Sequence, residues 1–167
     1  MKAIVAVDKN WGIGKGNDLL FSIPLDMAFF RDQTKGKVVV MGSKTLKSFP
    51  NSKPLKNRIN IVFHRGNENY EGCIVVKDLQ DLKKVLDGYN TDDVFVIGGG
   101  SIYKLLLDYC SEALITKVDA DGEPEVFFEN LDKKSEWQCV SNSEQLESNG
   151  YKIIFTTYVN KKVKTLK

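Results

Sequence analysis

Val94-Phe95-Val96-Ile97-Gly98-Gly99-Gly100-Ser101-Ile102-Tyr103 decides how this chain folds. Its first four residues are apolar and mostly β-branched, the composition of a strand covered on both faces. Three glycines follow, and after them Ile102, Leu105, Leu106 and Tyr109 recur at helical spacing, predicting that these four form the inner face of a helix. A doubly buried strand that turns directly into a helix is half of a βαβ unit, which implies a parallel sheet with helices on its faces. Without Cβ atoms, Gly98, Gly99 and Gly100 let backbone amides approach a ligand closely, and the helix start adds a partial positive charge. Taken alone, the segment fits a pyrophosphate cradle or a plain tight turn equally well. It is not the six-residue dinucleotide fingerprint, because no Gly-x-Gly-x-x-Gly opens the first helix.

The same alternation extends upstream. Ala3 to Val7 reads as a buried strand, followed by a long loop from Asp8 to Asp18 containing Gly12, Gly14 and Gly16. Pro24, with Asp26 in the first turn, starts a helix that runs to about Gln33 and stops near Gly36. Lys37 to Met41 is a second buried strand, Gly42 ends it, and Ser43 through Leu46 form a short helix. Turn chemistry at Asn51 to Pro54 precedes a strand over Arg58 to Phe63, and a short strand includes Val75-Val76. Asp78 caps a helix with Leu79, Leu82, Val85 and Leu86 on one stripe. After a strand at Leu114 to Val118, Glu136 to Val140 and Tyr151 to Val159 read as an antiparallel pair joined across Ser148-Asn149-Gly150. The pattern is one α/β domain over residues 1–160, a mostly parallel sheet with an antiparallel C-terminal edge. Residues 161–167, with Lys161, Lys162, Lys164 and Lys167, read as a frayed, solvated basic tail.

Composition narrows the function. A chain of 167 residues, 42% hydrophobic and 28% charged, is ordinary for one globular domain. A net charge of +2 gives no electrostatic case for nucleic acid or membrane surfaces. No apolar run approaches the roughly 18 residues of a spanning helix, and the N-terminal apolar stretch is too short for a signal peptide. The three cysteines, Cys73, Cys110 and Cys139, are widely spaced and the single histidine is His64, so neither a disulfide framework nor a metal site is expected. The expected compartment is the cytoplasm.

Several positions have residue types that suit ligand chemistry. Met41-Gly42-Ser43-Lys44-Thr45 repeats the strand, glycine and helix-start arrangement with a lysine added, although a plain helix cap is the simpler reading. His64-Arg65 puts two potential cations at the carboxyl edge of the sheet, where ligands of open α/β sheets gather and where an arginine can grip a phosphate in bidentate fashion. Asp26 is the only acid in the apolar stretch Ile23 to Phe30, and Phe30 lies on the same helix face. A carboxylate beside aromatic walls can hold a flat heterocycle with adjacent N–H donors; an ordinary first-turn acid is the simpler explanation. Thr116, within a hydrophobic strand, offers a second polar contact or a routine bond to backbone.

In order and spacing, these segments resemble the dihydrofolate reductase family from Ile4 to about Val159. The motifs are Ala6-Val7-Asp8 with Gly12-Ile13-Gly14, Ile23-Pro24-x-Asp26 with Phe29-Phe30-Arg31, and Val40-Met41-Gly42-x-x-Thr45. Pro54-Leu55-x-x-Arg58-x-Asn60, Ile97-Gly98-Gly99-Gly100-x-Ile102-Tyr103 and Thr116 complete the set. The resemblance implies a central eight-stranded, mostly parallel twisted sheet flanked by about four helices. It implies NADPH-dependent reduction of 7,8-dihydrofolate to tetrahydrofolate, supporting one-carbon metabolism. Hydride would go from nicotinamide C4 to pterin C6 and a proton to N5, with water the immediate proton donor.

By the same resemblance, Asp26 would bind the pterin with Thr116 linked to it, and these two form the catalytic pair. Ile4, Val5, Met27, Phe30, Phe49 and Leu55 would wall the pocket, with Lys53 at the rim and Arg58 on the glutamate tail. Ala6, Ile13, Gly14, Asn17, Asp18 and Leu19 would meet the nicotinamide end. Gly42, Ser43, Lys44, Thr45, His64, Arg65 and Lys77 would hold the rest of NADPH together with Ile97, Gly98, Gly99, Gly100, Ser101, Ile102 and Tyr103. The peptide between Gly98 and Gly99 would be cis. The implied enzyme needs no metal and works as a monomer on a small molecule.

Three positions depart from the family pattern. Phe21 replaces a tryptophan, Ser43 replaces an arginine that meets the 2′-phosphate, and Glu125-Val126-Phe127-Phe128 degrades the segment that latches the glycine loop. Two rival readings are a pyrimidine reductase of the riboflavin pathway and a catalytically silent nucleotide-binding module. The first has no need of Asp26 beside Phe30 together with Arg58; the second has no need of Asp26, Arg58 and Thr116. Four lysines in the tail suggest solubility rather than RNA binding.

Overall fold

Each apolar run read above forms a strand in the computed structural model, which describes residues 1–16 and 18–166. In chain order the elements are β1 (Lys2–Val7), β2 (Gly12–Lys15), β3 (Asp18–Leu19), α1 (Pro24–Thr34), β4 (Val38–Gly42), α2 (Ser43–Ser48), β5 (Ile59–Phe63) and β6 (Cys73–Val76). They continue with α3 (Leu79–Leu86), β7 (Val94–Gly98), α4 (Gly100–Leu106), β8 (Glu112–Val118), β9 (Val126–Phe127), β10 (Trp137–Asn142), β11 (Leu146–Ser148) and β12 (Tyr151–Asn160). The main sheet has the order β10-β12-β8-β1-β7-β4-β5-β6, with β11 attached to β12. From β8 to β6 every pairing is parallel, whereas β12 and β10 are antiparallel. Fully covered Val38, Val39, Val40 and Met41 explain why β4 reads as an unbroken apolar run.

Alternation along the strands divides the core between the two sheet faces. One face collects Ile4, Val39, Met41, Val62, Phe95 and Leu114, with Phe29 and Phe30 of α1 packed on it. The other collects Ala3, Val40, Ile61 and Val96 under Leu82, Leu86, Ile102 and Leu106 of α3 and α4. Asp78 caps α3, its side chain accepting from Asp81 N at 2.8 Å, as its position before the Leu79 stripe predicts.

Four local expectations change. The Asp8 to Asp18 stretch is no simple loop: β2 pairs antiparallel with both β3 and β9 in a second small sheet. Glycines at 12, 14 and 16 hid this strand, because they lack the side chains from which a period of two is read. The turn at Asn149-Gly150 joins β11 to β12 rather than β10 to β12; β11 has only three residues, too few for a pattern. On α4 the inner face is Ile102, Tyr103 and Leu106 while Leu105 is 41% exposed, because helical geometry puts the first three within an arc of about 100° and Leu105 outside it. The basic tail is tied down through residue 166: Lys164 N donates to Asp108 O at 2.9 Å, and Leu166 packs on the core.

The helix that carries Asp26 has no cap of its own, since Ile23 occupies the capping position and makes no side-chain bond. The β11–β12 turn supplies what is missing. Ser148 Oγ accepts from Leu25 N at 3.2 Å, and Asn149 Nδ2 donates to Ser22 O at 2.8 Å. A distant hydroxyl thereby does the work of an N-cap. Ser148→Ala is therefore expected to cost about 1 kcal/mol of stability in urea unfolding. Hydrogen exchange at the Leu25 amide should quicken in the same variant while exchange in β4 stays as it was.

Candidate active site

Asp26 stands in the first turn of α1, above the sheet face lined by Ile4, Met41 and Leu114. Thr116, 2% exposed on β8, donates its hydroxyl to Asp26 Oδ1 at 2.6 Å. Burial raises the carboxyl pKa above its ordinary value, and the Thr116 bond lowers it by a smaller amount. Oδ2 makes no hydrogen bond among the described residues, which leaves one carboxylate oxygen for a ligand's N–H donors. A carboxylate held by one hydroxyl in apolar surroundings is suited to stabilising a cationic heterocycle.

Arg58 contacts α1 nearer its C-terminal end. Its Nε donates to Thr34 Oγ1 at 2.9 Å, Nη1 donates to Lys56 O at 3.0 Å, and Cζ sits 5.9 Å from the Phe30 ring centroid. Two bonds and a ring therefore aim the guanidinium, and partial burial with Arg31 nearby lowers its pKa from a very high value. Phe49 and Leu55 are half-buried against the Ile4 face, as is Ile97. Lys53 is exposed at the rim. Met27, 56% exposed, stands outside the packed wall. Val5 packs into the larger cluster on the other sheet face, because it neighbours Ile4 in a strand.

Asn60 stands in the Pro54 to Asn60 motif, but the sequence gives it no role. Asn60, 2% exposed, accepts from Leu55 N at 3.0 Å and donates to the carbonyls of Leu55 (3.0 Å) and Arg58 (3.2 Å). It staples the turn that presents both Leu55 and Arg58. The signal available was a polar side chain inside an otherwise apolar strand, Ile59 to Phe63.

The other half of the site lies at the carboxyl ends of β4, β5, β6 and β7. Gly42, Ser43, Lys44 and Thr45 follow β4; His64 and Arg65 follow β5; Lys77 follows β6; Gly98, Gly99, Gly100 and Ser101 follow β7. The glycines here have close neighbours. A Cβ on Gly42 would meet Ile102 at 3.1 Å, and one on Gly99 would meet Thr45 Oγ1 at 3.5 Å. The two glycine turns thus converge, with backbone and hydroxyl groups facing a shared edge, an arrangement that fits a pyrophosphate-bearing cofactor. The Gly98–Gly99 peptide is cis and Gly98 has φ 115°, a value open to glycine alone at little cost. Arg65 and Lys44 are exposed, while His64 is half-buried with its ring edge-on to Tyr70 at 5.3 Å. Lys77 Nζ reaches Asn67 Oδ1 at 3.4 Å. Tyr103 is buried and donates its hydroxyl to Ile4 O at 2.7 Å, so that hydroxyl is taken up by β1.

The glycine loop is latched above β1. Gly16 N donates to Glu125 Oε1 at 2.8 Å, and Glu125 N donates to Gly14 O at 2.8 Å. The degraded segment therefore keeps its latch, because Glu125 retains the one carboxylate that the bond needs. Asp8, 2% exposed, ties the base of the loop by accepting from Asn10 N (2.8 Å), Gly12 N (2.8 Å) and Gly122 N (3.1 Å). Gly12 abuts Pro124 so closely that an added Cβ would fall 2.2 Å from its Cγ. Ala6 and Ile13 are half-buried, Gly14 is buried, and Asp18 and Leu19 are exposed, Leu19 at 83%. Asn17 lies outside the described residues.

The family model for dihydrofolate reductase matches residues 1–160. The chain belongs to the dihydrofolate reductase family. It is 36% identical over 161 residues to the dihydrofolate reductase of Bacillus subtilis (strain 168), covering 95% of this chain and 93% of that one. To the dihydrofolate reductase of Neisseria gonorrhoeae it is 34% identical over 160 residues, covering 95% and 96%. Among solved structures it is similar to dihydrofolate reductase from Enterococcus faecalis complexed with NADP(H) and RAB-propyl, with a TM-score of 0.85, 28% identity and 95% of each chain covered.

Within a dihydrofolate reductase scaffold, the buried acid carries a stability cost that can be measured. Because the folded-state pKa of Asp26 is raised, the folded protein binds the proton more tightly than the unfolded chain does. Stability is therefore lost as pH rises from the ordinary value of 3.8 through the raised folded value. Asp26→Asn removes this dependence. It should raise the melting temperature at neutral pH and flatten the stability curve above pH 3.8, in thermal scans across pH.

Proposed function

We propose that the chain catalyses NADPH-dependent reduction of 7,8-dihydrofolate to 5,6,7,8-tetrahydrofolate, with Asp26 and Thr116 as its polar pair at the pterin. The observation that carries this reading is the 2.6 Å Thr116–Asp26 bond, with Arg58 held in a fixed orientation against Phe30 of the same helix. A pyrimidine reductase would have no use for that combination.

NADPH, when bound, supplies the hydride. The backbone amides at Gly42 to Thr45 and Gly98 to Ser101 would hold its phosphates, and Lys44, His64 and Arg65 would meet the 2′-phosphate charge for which Ser43 has no cation. Ala6, Ile13, Gly14 and the residues up to Leu19 border the nicotinamide end, and the latched loop excludes water there. Ile4, Phe30, Phe49 and Leu55 bury the pterin and the ring that follows it, and Arg58 receives the glutamate carboxylate. Asp26 Oδ2 accepts from the pterin amino group while Thr116 fixes Oδ1, so the negative charge is aimed at the ring that gains a proton at N5. Water delivers that proton. The protein's part is orientation and one preorganised charge.

In this reading the working unit is a monomer. Free thiols at Cys73, Cys110 and Cys139 support a reducing, cytoplasmic setting. Among the described residues no helix is long and apolar enough to cross a membrane.

Arg58→Leu is expected to raise the dihydrofolate KM by an amount equivalent to about 2–5 kcal/mol while NADPH affinity is unchanged. An unaltered KM in steady-state assays would remove Arg58 from the site. Asp26→Asn keeps the shape and loses the charge. Stopped-flow measurement should give a hydride rate at neutral pH lower by about 10² or more, partly regained at lower pH where protonated substrate is present. Near-normal turnover at neutral pH would overturn the role given to Asp26 and favour the rival reductase.

A further inference from the structure

Trp11 precedes β2 with φ 65°, a left-handed backbone that is unfavourable for a bulky side chain. Both its backbone groups are tied: N–H donates to Asp8 O at 3.0 Å, and C=O accepts from Phe128 N at 2.8 Å. The indole, 8% exposed, lies near-parallel to Phe128 (centroids 6.3 Å apart, 21° between planes) and edge-on to Tyr158 (5.9 Å, 72°). Lys117 Nζ closes the enclosure, 5.4 Å from the Trp11 ring and 5.2 Å from the Tyr158 ring. Asp132 joins the two partners, one oxygen 3.5 Å from Lys117 Nζ and the other accepting the Tyr158 hydroxyl at 2.7 Å.

None of these groups has a part in the chemistry proposed above, yet they adjoin it on two sides. Lys117 follows Thr116 on β8, so the two side chains leave opposite faces of the strand, one toward Asp26 and the other toward Trp11. Trp11 leads directly into Gly12, where the chain enters the latched loop. Glycine-rich backbone has little rigidity of its own, so beyond its pairing with β3 and β9 its placement depends on how its ends are held. The far end is held by Glu125 on Gly16. The near end is held by Asp8 on Gly12 and by a cation, two aromatic rings and a shared carboxylate around one indole.

We propose that Trp11 is a positioning residue. The clamp of Lys117, Tyr158 and Asp132 fixes its ring, the ring holds the left-handed backbone, and that backbone sets where Gly12 to Gly16 lie. The inference rests on reading this loop as the cover of the nicotinamide end.

Trp11→Gly tests it cleanly, because glycine adopts a positive φ without strain and only the clamped ring is lost. The full chain is compared with Trp11→Gly, Trp11→Phe and Lys117→Met by single-turnover hydride transfer and by amide hydrogen exchange. For Trp11→Gly, exchange across Gly12 to Gly16 should rise about tenfold or more, with exchange in β4 and β7 unchanged. The hydride rate should fall by about tenfold or more while dihydrofolate affinity holds within about twofold. Trp11→Phe should recover most of the rate, and Lys117→Met, which removes only the cation, should fall between. Unchanged loop exchange in Trp11→Gly overturns the clamp, as does an equal rise throughout β4 and β7, which would make Trp11 a general core residue. Faster loop exchange with an unchanged hydride rate upholds the clamp and overturns both the loop's role as a cover and Trp11's bearing on catalysis.

Discussion

A carboxylate in apolar surroundings needs a donor, and in this fold the donor comes from another layer of the structure. Thr116 on β8 meets Asp26 on α1 at 2.6 Å, across 90 residues of sequence. The bond works only if β8 sits beside β1, which its parallel register from Lys2 with Glu112 to Val7 with Lys117 secures. It also needs α1 to start at Pro24, because one residue of slippage would rotate Asp26 about 100° around the helix. The sheet order, the helix start and the placement of the acid thus form one requirement.

Much of this architecture is legible before any coordinates exist. Doubly covered strands such as Val38 to Met41 and Val94 to Ile97 announce themselves as continuous apolar runs, and proline and aspartate mark the starts of α1 and α3. The Asp26, Thr116 and Arg58 constellation is legible through its family resemblance rather than through any single motif, since each residue alone has an ordinary structural explanation. What stays hidden has a physical cause in each case. β2 is built largely of glycine and shows no face. β9 and β11 are too short to carry a period. Asn60 shows itself only as a polar residue in an apolar strand, because its partners are backbone groups of Leu55 and Arg58.

The departures from the family pattern are absorbed locally. Glu125 keeps the latch on Gly16 although its neighbours differ, because the bond depends on one carboxylate and one amide. Phe21 takes up a different neighbour, tilting against Tyr151 with ring centroids 4.9 Å apart. Ser43 leaves positive charge at the β4 end to Lys44, with His64 and Arg65 at the end of the adjacent β5.

The turn at Ser148 and Asn149 that completes the start of α1 bears on how the molecule is made. Its two bonds reach back 123 and 127 residues, and the latch on Gly16 reaches back 109. During synthesis the helix with the acid emerges early, but its terminus stays open until the last hairpin has left the ribosome. A chain rich in such distant pairings closes slowly, because loop entropy is lost before the contacts that reward it can form. Ribosome-stalled chains ending before residue 148 can pair the parallel strands from β8 to β6 while the first turn of α1 remains uncapped. The acid emerges among the first residues and acquires its finished surroundings among the last.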